Sequence, residues 1–314
     1  MILLCGIPSE TPMVMVRERL ESMGASYVML NQRDFASCDI FLEISQGQVN
    51  GYLVIAGKAH PLESFRAVYT RMMDDRSLPE LEHEPADSAL RRHCRGFHET
   101  LTRWIEISPA YVVNRCTPMG SNSSKPYQAQ LIRQRGFRVP ETLITNVPES
   151  VGTFQKHHGR IIYKSISAAR SIVQTLEDKD TDRLGNIRWC PTQFQSCVEG
   201  TNVRVHTVGK HVFATAISTD ATDYRYAVRQ SGEAALLREV ELCDDLAEAC
   251  VSLARALDLP FAGIDLKITP ENEVYCFEVN PSPAFSYYEG NTGQPISAGL
   301  ACCLMEADMA TAAA

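Results

Sequence analysis

The stretch FAGIDLKITPENEVYCFEVNPSP, Phe261 to Pro283, decides how the rest of the chain is read. Ile264, Leu266 and Ile268 alternate with Gly263, Asp265 and Lys267. Beyond Pro270-Glu271-Asn272-Glu273, Tyr275, Phe277 and Val279 alternate with Cys276, Glu278 and Asn280. Period-two alternation on both sides of a turn predicts a β-hairpin with one face in the core. Pairing Thr269 with Val274 across the turn sets Asp265 opposite Glu278, and Asn280 leaves the same face as Glu278. Two carboxylates so placed repel, by roughly 4 kcal/mol at about 4 Å and an effective dielectric near 20. Either the face is solvated, with the carboxylates near Lys267, or a cation lies between them. The candidate ligands Asp265, Glu278 and Asn280 are all oxygen donors. Such a cation would be hard, Mg²⁺ or Mn²⁺ and not Zn²⁺, and so few protein ligands suit Mg²⁺ shared with nucleotide phosphates.

A chain of 314 residues has room for two or three subdomains and a sizeable core. Hydrophobic residues at 45% and charged residues at 22% describe an ordinary globular protein, and a net charge of −8 argues against a basic nucleic-acid-binding surface. The opening MILLCGIP lacks a basic flank and reads as a first strand, not a signal peptide, and no apolar run reaches membrane-spanning length. The expectation is a cytoplasmic protein with neither nucleic-acid nor membrane partners; a homodimer stays open. The 11 cysteines show no CxxC spacing and read as reduced thiols, mostly buried.

Outward from the hairpin, residues 1 to about 73 read as a small α/β domain. Strands are expected at Met1–Cys5, Tyr27–Leu30 and Ala67–Thr70, a helix at Thr11–Met23, and a hairpin from Phe41–Ser45 and Val49–Ile55. Arg71 ends a strand of that domain, where open α/β sheets gather ligands; a surface arginine is the competing reading. Ser88–Trp104 reads as a helix with solvated His93 and His98. Ser123 or Ser124 caps a helix starting near Lys125-Pro126 and stopping at Gly136. Lysine is unusual at a helix start, and there its charge adds to the attraction for phosphate.

The strand Arg160–Lys164 ends in a second lysine, followed by the small polar loop Ser165–Ser171, whose Arg170 could add charge. Asp178–Asn186 reads as a polar loop and Thr192–Val198 as a strand. Val203–Val208 and His211–Ile217 form a hairpin around Gly209-Lys210 that puts Arg204 and His206 on one face. Asp223–Tyr226 is a loop, Asp244–Leu257 an amphipathic helix, and Pro295–Glu306 a final helix.

In this order the motifs resemble an ATP-grasp ligase of the RimK-type group, over roughly residues 114 to 305. Lys125 with Gly136-Phe137-Arg138-Val139-Pro140-Glu141-Thr142 resembles the first nucleotide lysine and its G-[IF]-x-[VI]-P-x-T segment. Lys164 is similar to the second lysine. Gln195-Ser196-Cys197-Val198 resembles the hinge that reads adenine through its backbone, and Asn202 falls where an acidic ribose ligand is common. Val203-Arg204-Val205 resembles D-[IL]-R-V, and Asp265, Glu278 and Asn280 coincide with the metal-ligand trio. Two departures stand out: Ser165–Ser171 replaces a glycine-rich lid loop, and Gln195 and Asn202 are neutral where acids are usual. More loosely, the Phe41–Ile55 hairpin, the strand ending at Arg71 and the run Pro140–Asn146 resemble the graspetide branch, which closes microviridin-type macrocycles.

The resemblance implies an ATP-grasp fold of mixed α/β and α+β layers. It implies an N-terminal α/β domain with a helical linker over residues 1–113, a central lid over 114–195, and a C-terminal subdomain with the metal site over 196–314. It implies ATP and Mg²⁺ (or Mn²⁺) as cofactors and ADP-forming ligation of a carboxylate to an amine or hydroxyl through an acyl phosphate. The carboxylate sits on a small molecule, an amino acid or a peptide. Lys125 and Lys164, with Ser165 and Arg170, would hold phosphates; Gln195, Ser196, Cys197, Val198 and Asn202 would hold the nucleoside. Arg204 and Arg225 are the candidates for the γ-phosphate and acyl-phosphate charge; no general base is evident, and His206 reads first as a packed strand residue and only second as a base. Two other readings remain: an ATP-binding regulatory module without ligase activity, and a kinase-like enzyme that stops at a phosphorylated product.

Overall fold

A computed structural model of the chain describes residues 1–166, 172–219 and 232–310. β1 (Ile2–Gly6) is buried along its whole length, as a central parallel strand covered on both faces requires. β2 (Tyr27–Asn31) flanks it on one side. β3 (Asp39–Ser45), β4 (Gln48–Ile55) and β5 (Lys58–Pro61) form a separate antiparallel sheet. β6 (Ala67–Arg71) and β7 (Tyr111–Val113) complete a parallel sheet in the order β2-β1-β6-β7. Helix α1 (Thr11–Ser22) crosses from β1 to β2. α2 (Ala89–Ile107), capped by the Ser88 side chain, closes the other face through Cys94, Phe97, Leu101 and Trp104. His98 belongs to that buried face and not to solvent, because its position on α2 follows Cys94 by one turn.

The second sheet, β10-β9-β11-β8, is antiparallel and built from β8 (Thr142–Thr145), β9 (Ile161–Ser165), β10 (Gln174–Thr175) and β11 (Thr192–Ser196). It is reached through the short α3 (Cys116–Met119) and α4 (Lys125–Gln134). Ser124 precedes α4 but makes no side-chain cap; its carbonyl accepts from the Gln128 N–H at 2.9 Å. α5 (Pro148–His158) covers one sheet face with Val151 and Phe154. Asp178–Trp189 is a run of 3₁₀ turns and not a plain loop: Glu177 and Asp180 cap it reciprocally, and Leu184 and Ile187 pack on Phe194.

The third sheet has the order β14-β13-β12-β15-β16, from β12 (Thr201–Val208), β13 (His211–Ser218), β14 (Leu236–Val240), β15 (Phe261–Ile268) and β16 (Val274–Asn280). α6 (Asp244–Ala256) buries Cys250, Leu253 and Ala254 against Val205, Ile264, Leu266 and Val279. α7 (Ser286–Thr292) and α8 (Ile296–Ala310) follow. α8 packs Ile296, Leu300 and Leu304 into one cluster with Met13, Leu20 and Tyr69, so the last helix is also the roof of the first sheet.

The hairpin β15–β16 holds the expected pairing of Asp265 with Glu278 by a different route. Thr269 is not a ladder partner of Val274. Pairing ends at Ile268 with Val274, and Thr269 closes the loop by hydrogen bonds with Glu273. The one-residue offset is made up by a bulge at Phe277, between the pairs Leu266–Cys276 and Asp265–Glu278. Strict alternation would bury Phe277 and expose Cys276. Instead Cys276 and Val279 are fully buried, and Phe277 and Glu278 both leave the core.

β16 is an edge strand, yet its outer backbone is engaged. The Gln128 amide donates to the Val279 carbonyl at 2.8 Å and accepts from the Val279 N–H at 3.0 Å, and Cys276 N–H donates to the Arg138 carbonyl at 2.9 Å. Gln128→Ala leaves both groups of Val279 buried without partners. We expect a loss of about 2–3 kcal/mol in urea denaturation, with unchanged m-value; a loss below about 0.5 kcal/mol would contradict this bracing role.

Candidate active site

Three rungs cross the face of β12, β15 and β16 that is turned away from α6. They are Asn202–Lys267–Tyr275, Arg204–Asp265–Glu278 and His206–Gly263–Asn280. The middle rung carries one cation and two neighbouring carboxylates. Arg204 Nη1 donates to Asp265 Oδ1 at 2.6 Å, and Lys125 Nζ, from the first turn of α4, lies 3.1 Å from Glu278 Oε2. The carboxylates therefore do not face each other uncompensated, as the strand register alone suggested; the fold supplies a cation to each. Burial pushes the Glu278 carboxyl up, but the charges of Lys125, Lys164 and Arg204 outweigh it and hold the group below the ordinary glutamate range. Asn280 Oδ1 accepts from the Ser282 N–H at 2.9 Å, which uses one of its two lone pairs.

Above this face lies a cleft of about 290 Å³. Its floor carries Cys276 and Phe277, one wall is α4 with Lys125, and the roof is the second sheet with Thr142, Lys164, Gln193 and Gln195. Gln193 and Gln195 alternate with Phe194, which sits in the core below α5, so both amides face the cleft beside Lys164. Their Oε1 atoms are buried and have no hydrogen-bond partner among the described residues. Two orphaned acceptors, a lysine on either side and the Glu278 carboxylate 3.1 Å from one of those lysines fit a nucleotide with an exocyclic amine at one end and phosphates with a hard cation at the other.

The hinge between second and third sheets is partly committed to the fold. Ser196 N–H donates to the Glu141 carbonyl at 3.0 Å and Cys197 N–H to the Arg160 carbonyl at 2.9 Å. The Val198 carbonyl accepts from Lys267 Nζ at 3.1 Å, and that ammonium lies 5.9 Å from the centre of the Phe277 ring. Burial pulls the Lys267 pKa below its usual value.

Lys125, Lys164 and Gln195 line the cleft; Glu278 adjoins it through Lys125, Asp265 and Arg204 continue the same rung of the sheet, and Asn202 and Asn280 lie on flanking rungs. Ser165 ends β9 opposite Thr192 and is exposed. Arg170 and Arg225 lie outside the described residues. His206 is the packed strand residue expected first: it is fully buried against Phe261 and Tyr288, and burial and then Arg204 pull its pKa well below the usual histidine value. Arg71 is committed to Glu10 at 2.6 and 3.0 Å and to Ser282 Oγ and the Pro283 carbonyl at 3.2 Å, which ties the first sheet to the end of the hairpin. Gln193 and Phe277 were not among the expected site residues, and the spacing Gln193-x-Gln195 on a strand beside Lys164 was the signal for the first; Lys267, set near the carboxylates in one reading, is spent on the Val198 carbonyl.

A family profile for the RimK-like ATP-grasp domain matches residues 122–304. The chain belongs to the RimK-like ATP-grasp family. Among solved structures, the ATP-grasp ligase PsnB, complexed with a phosphomimetic variant of a minimal precursor, Mg and ADP, is 26% identical, with a TM-score of 0.77 over 98% of each chain. The Chryseobacterium gregarium RiPP-associated ATP-grasp ligase, in complex with ADP and a leader and core peptide, is 21% identical, with a TM-score of 0.80 over 97% of this chain and 96% of that one. The macrocyclase MdnC from Microcystis aeruginosa, bound with precursor peptide MdnA, is 22% identical, with a TM-score of 0.78 over 97% and 99%. These last two establish the shared ATP-grasp fold. No curated protein matches the sequence.

The Lys125–Glu278 contact makes the Glu278 carboxylate stabilising in the free protein. Because the folded pKa is depressed, this contribution is present above the unfolded glutamate value and is lost as pH falls through the folded one. Glu278→Gln should cost about 1 kcal/mol at pH 7. The difference from wild type should shrink as pH falls through the lower acid range, read by urea melts at several pH values. A variant more stable than wild type at pH 7 would contradict the pairing.

Proposed function

We propose that this enzyme activates a carboxylate of a peptide substrate with ATP and joins it to an amine or hydroxyl. It is an ADP-forming ATP-grasp ligase that uses ATP and Mg²⁺. The observation that supports a peptide over a free small molecule is the likeness to PsnB, a ligase complexed with a precursor, which runs over 98% of both chains and so includes the N-terminal sheets. Among the described residues no helix is long and apolar enough to cross a membrane.

In the proposed reaction a carboxylate oxygen attacks the γ-phosphorus, the bond to the ADP oxygen breaks, and an acyl phosphate forms. The acceptor nitrogen or oxygen then attacks the carbonyl carbon, inorganic phosphate leaves with the bonding pair, and the acceptor's proton is released. Bound Mg²⁺ supplies charge neutralisation at the phosphates. Asp265, Glu278 and Asn280 would hold it, and their oxygens suit that ion. Lys125 and Lys164, on opposite walls, are assigned to phosphates. Arg204, anchored on Asp265 at the floor, is assigned to the charge that builds on the transferring group, with Arg225 as a second candidate. Gln193 and Gln195 offer acceptors to an adenine amine; guanine presents an acceptor there.

ATP with Mg²⁺ should raise the melting temperature more than GTP with Mg²⁺; equal shifts would count against the adenine assignment. Saturation at 100 times Kd corresponds to about 2.7 kcal/mol. The reaction is tested with a peptide bearing Asp and Glu side chains, reading ADP release and the hydroxamate trapped by hydroxylamine. Lys164→Ala should keep the wild-type melting temperature without ligand and weaken ATP binding by about ten-fold or more. ADP release without any hydroxamate or ligated peptide would sink the ligase assignment.

A further inference from the structure

We propose that Gly263 is a positioning residue for the Arg204 guanidinium, and that its missing side chain is what lets the arginine lie flat across the sheet beside Asp265. The inference rests on the role assigned to Arg204 above. Gly263 is the central member of the third rung, between His206 and Asn280, and lies two residues before Asp265 on β15. The Arg204 side chain is 5% exposed; it reaches over β15 to Asp265 Oδ1 at 2.6 Å, with Cζ 5.6 Å from the centre of the Tyr288 ring. A Cβ built on Gly263 would fall 2.6 Å from Arg204 Cζ, closer still to Nη2, and 2.8 Å from Pro283 Cβ. All three approaches are inside van der Waals contact.

The backbone gives no other reason for glycine at this position. Gly263 is not among the residues with positive φ, and β15 runs through it in ordinary extended geometry. The space that a side chain would need is filled by the guanidinium on one side and by the Pro283 ring on the other. Of the two, the guanidinium is the end of a flexible chain and gives way first. An alanine here therefore moves the charge that Arg204 presents to the cleft floor and leaves strand pairing in place. Lysine at 204 lacks the Nη2 arm and the planar Cζ, so in that background the added methyl meets only the Pro283 ring among these three contacts.

A double-mutant cycle tests this in the full-length enzyme, with Mg²⁺–ATP and a peptide bearing Asp and Glu side chains as substrates. Gly263→Ala, Arg204→Lys and the double variant are compared by ADP release and by melting temperature. We expect each single variant to melt within about 3 °C of wild type. Each should lower the rate of ADP release by about ten-fold or more, and the double variant should be no slower than Arg204→Lys alone. An equal loss from Gly263→Ala in both backgrounds would overturn the inference, since it would mean that the methyl acts on something other than the arginine. Wild-type turnover in Arg204→Lys would instead overturn the role assigned to Arg204, a different failure. The seating itself is read without turnover from a crystal structure of Gly263→Ala: a guanidinium still hydrogen-bonded to Asp265 Oδ1 in its original place would refute it.

Discussion

The site depends on a single extra residue in β16. The bulge at Phe277 makes two consecutive side chains, an aromatic ring and a carboxylate, oppose Asp265, while Cys276 and Val279 on either side stay in the core. A regular strand cannot do this, because its side chains alternate strictly between faces. The bulged edge would be a weak point if its backbone were left open. Gln128 from α4 and the backbone of Arg138 occupy it, and the Arg138 guanidinium adds an ion pair to Glu273 at 2.8 Å. The same helix carries Lys125 to Glu278, so one element both braces the distorted strand and charges the wall of the cleft.

Electrostatics on the floor follow from that geometry. Two acidic side chains are held on neighbouring strands, and each has its own cation, one from within the sheet and one from α4. Breaking one partner of such a pair costs more than the pair contributes, because the remaining charge is left partly desolvated. The arrangement is thus stable without ligand, yet every group in it can be re-paired: lysine and arginine toward phosphate, carboxylates toward a hard cation. Paired charges that can exchange partners reduce the desolvation cost of admitting a highly charged ligand.

Alignment of the first and third sheets rests on a few buried polar side chains. Asn114, at the end of β7, donates to the carbonyls of Phe261 and Pro281 at 2.6 and 2.5 Å and accepts from Phe261 N–H at 3.1 Å, so it clasps both ends of the hairpin. Arg71 does the same for Ser282 and Pro283 from the end of β6. α8, packed against Met13, Leu20 and Tyr69, adds apolar area across the same junction. The C-terminal edge of the parallel sheet is thereby fixed beside the residues that follow Asn280.

The sequence alone determined the hairpin, the strand that carries Lys164 and the facing of Asp265 and Glu278, because alternation, turn residues and motif order are local signals. It also placed helices at Thr11–Met23 and Asp244–Leu257, which form over Thr11–Ser22 and Asp244–Ala256. It did not reveal how Asp265 comes to face Glu278, since a five-residue loop plus a bulge gives the same pairing as a shorter turn without one. Nor did it reveal that His98 is buried, that Arg71 is bound to Glu10, or that Gln193 and Phe277 line the cleft. Those facts depend on which element lies across from each residue. Only the tertiary structure could decide that Lys125 and Arg204 neutralise the carboxylates and that Gly263 leaves room for the arginine, because charge pairing and steric clearance are properties of distances between segments far apart in the chain.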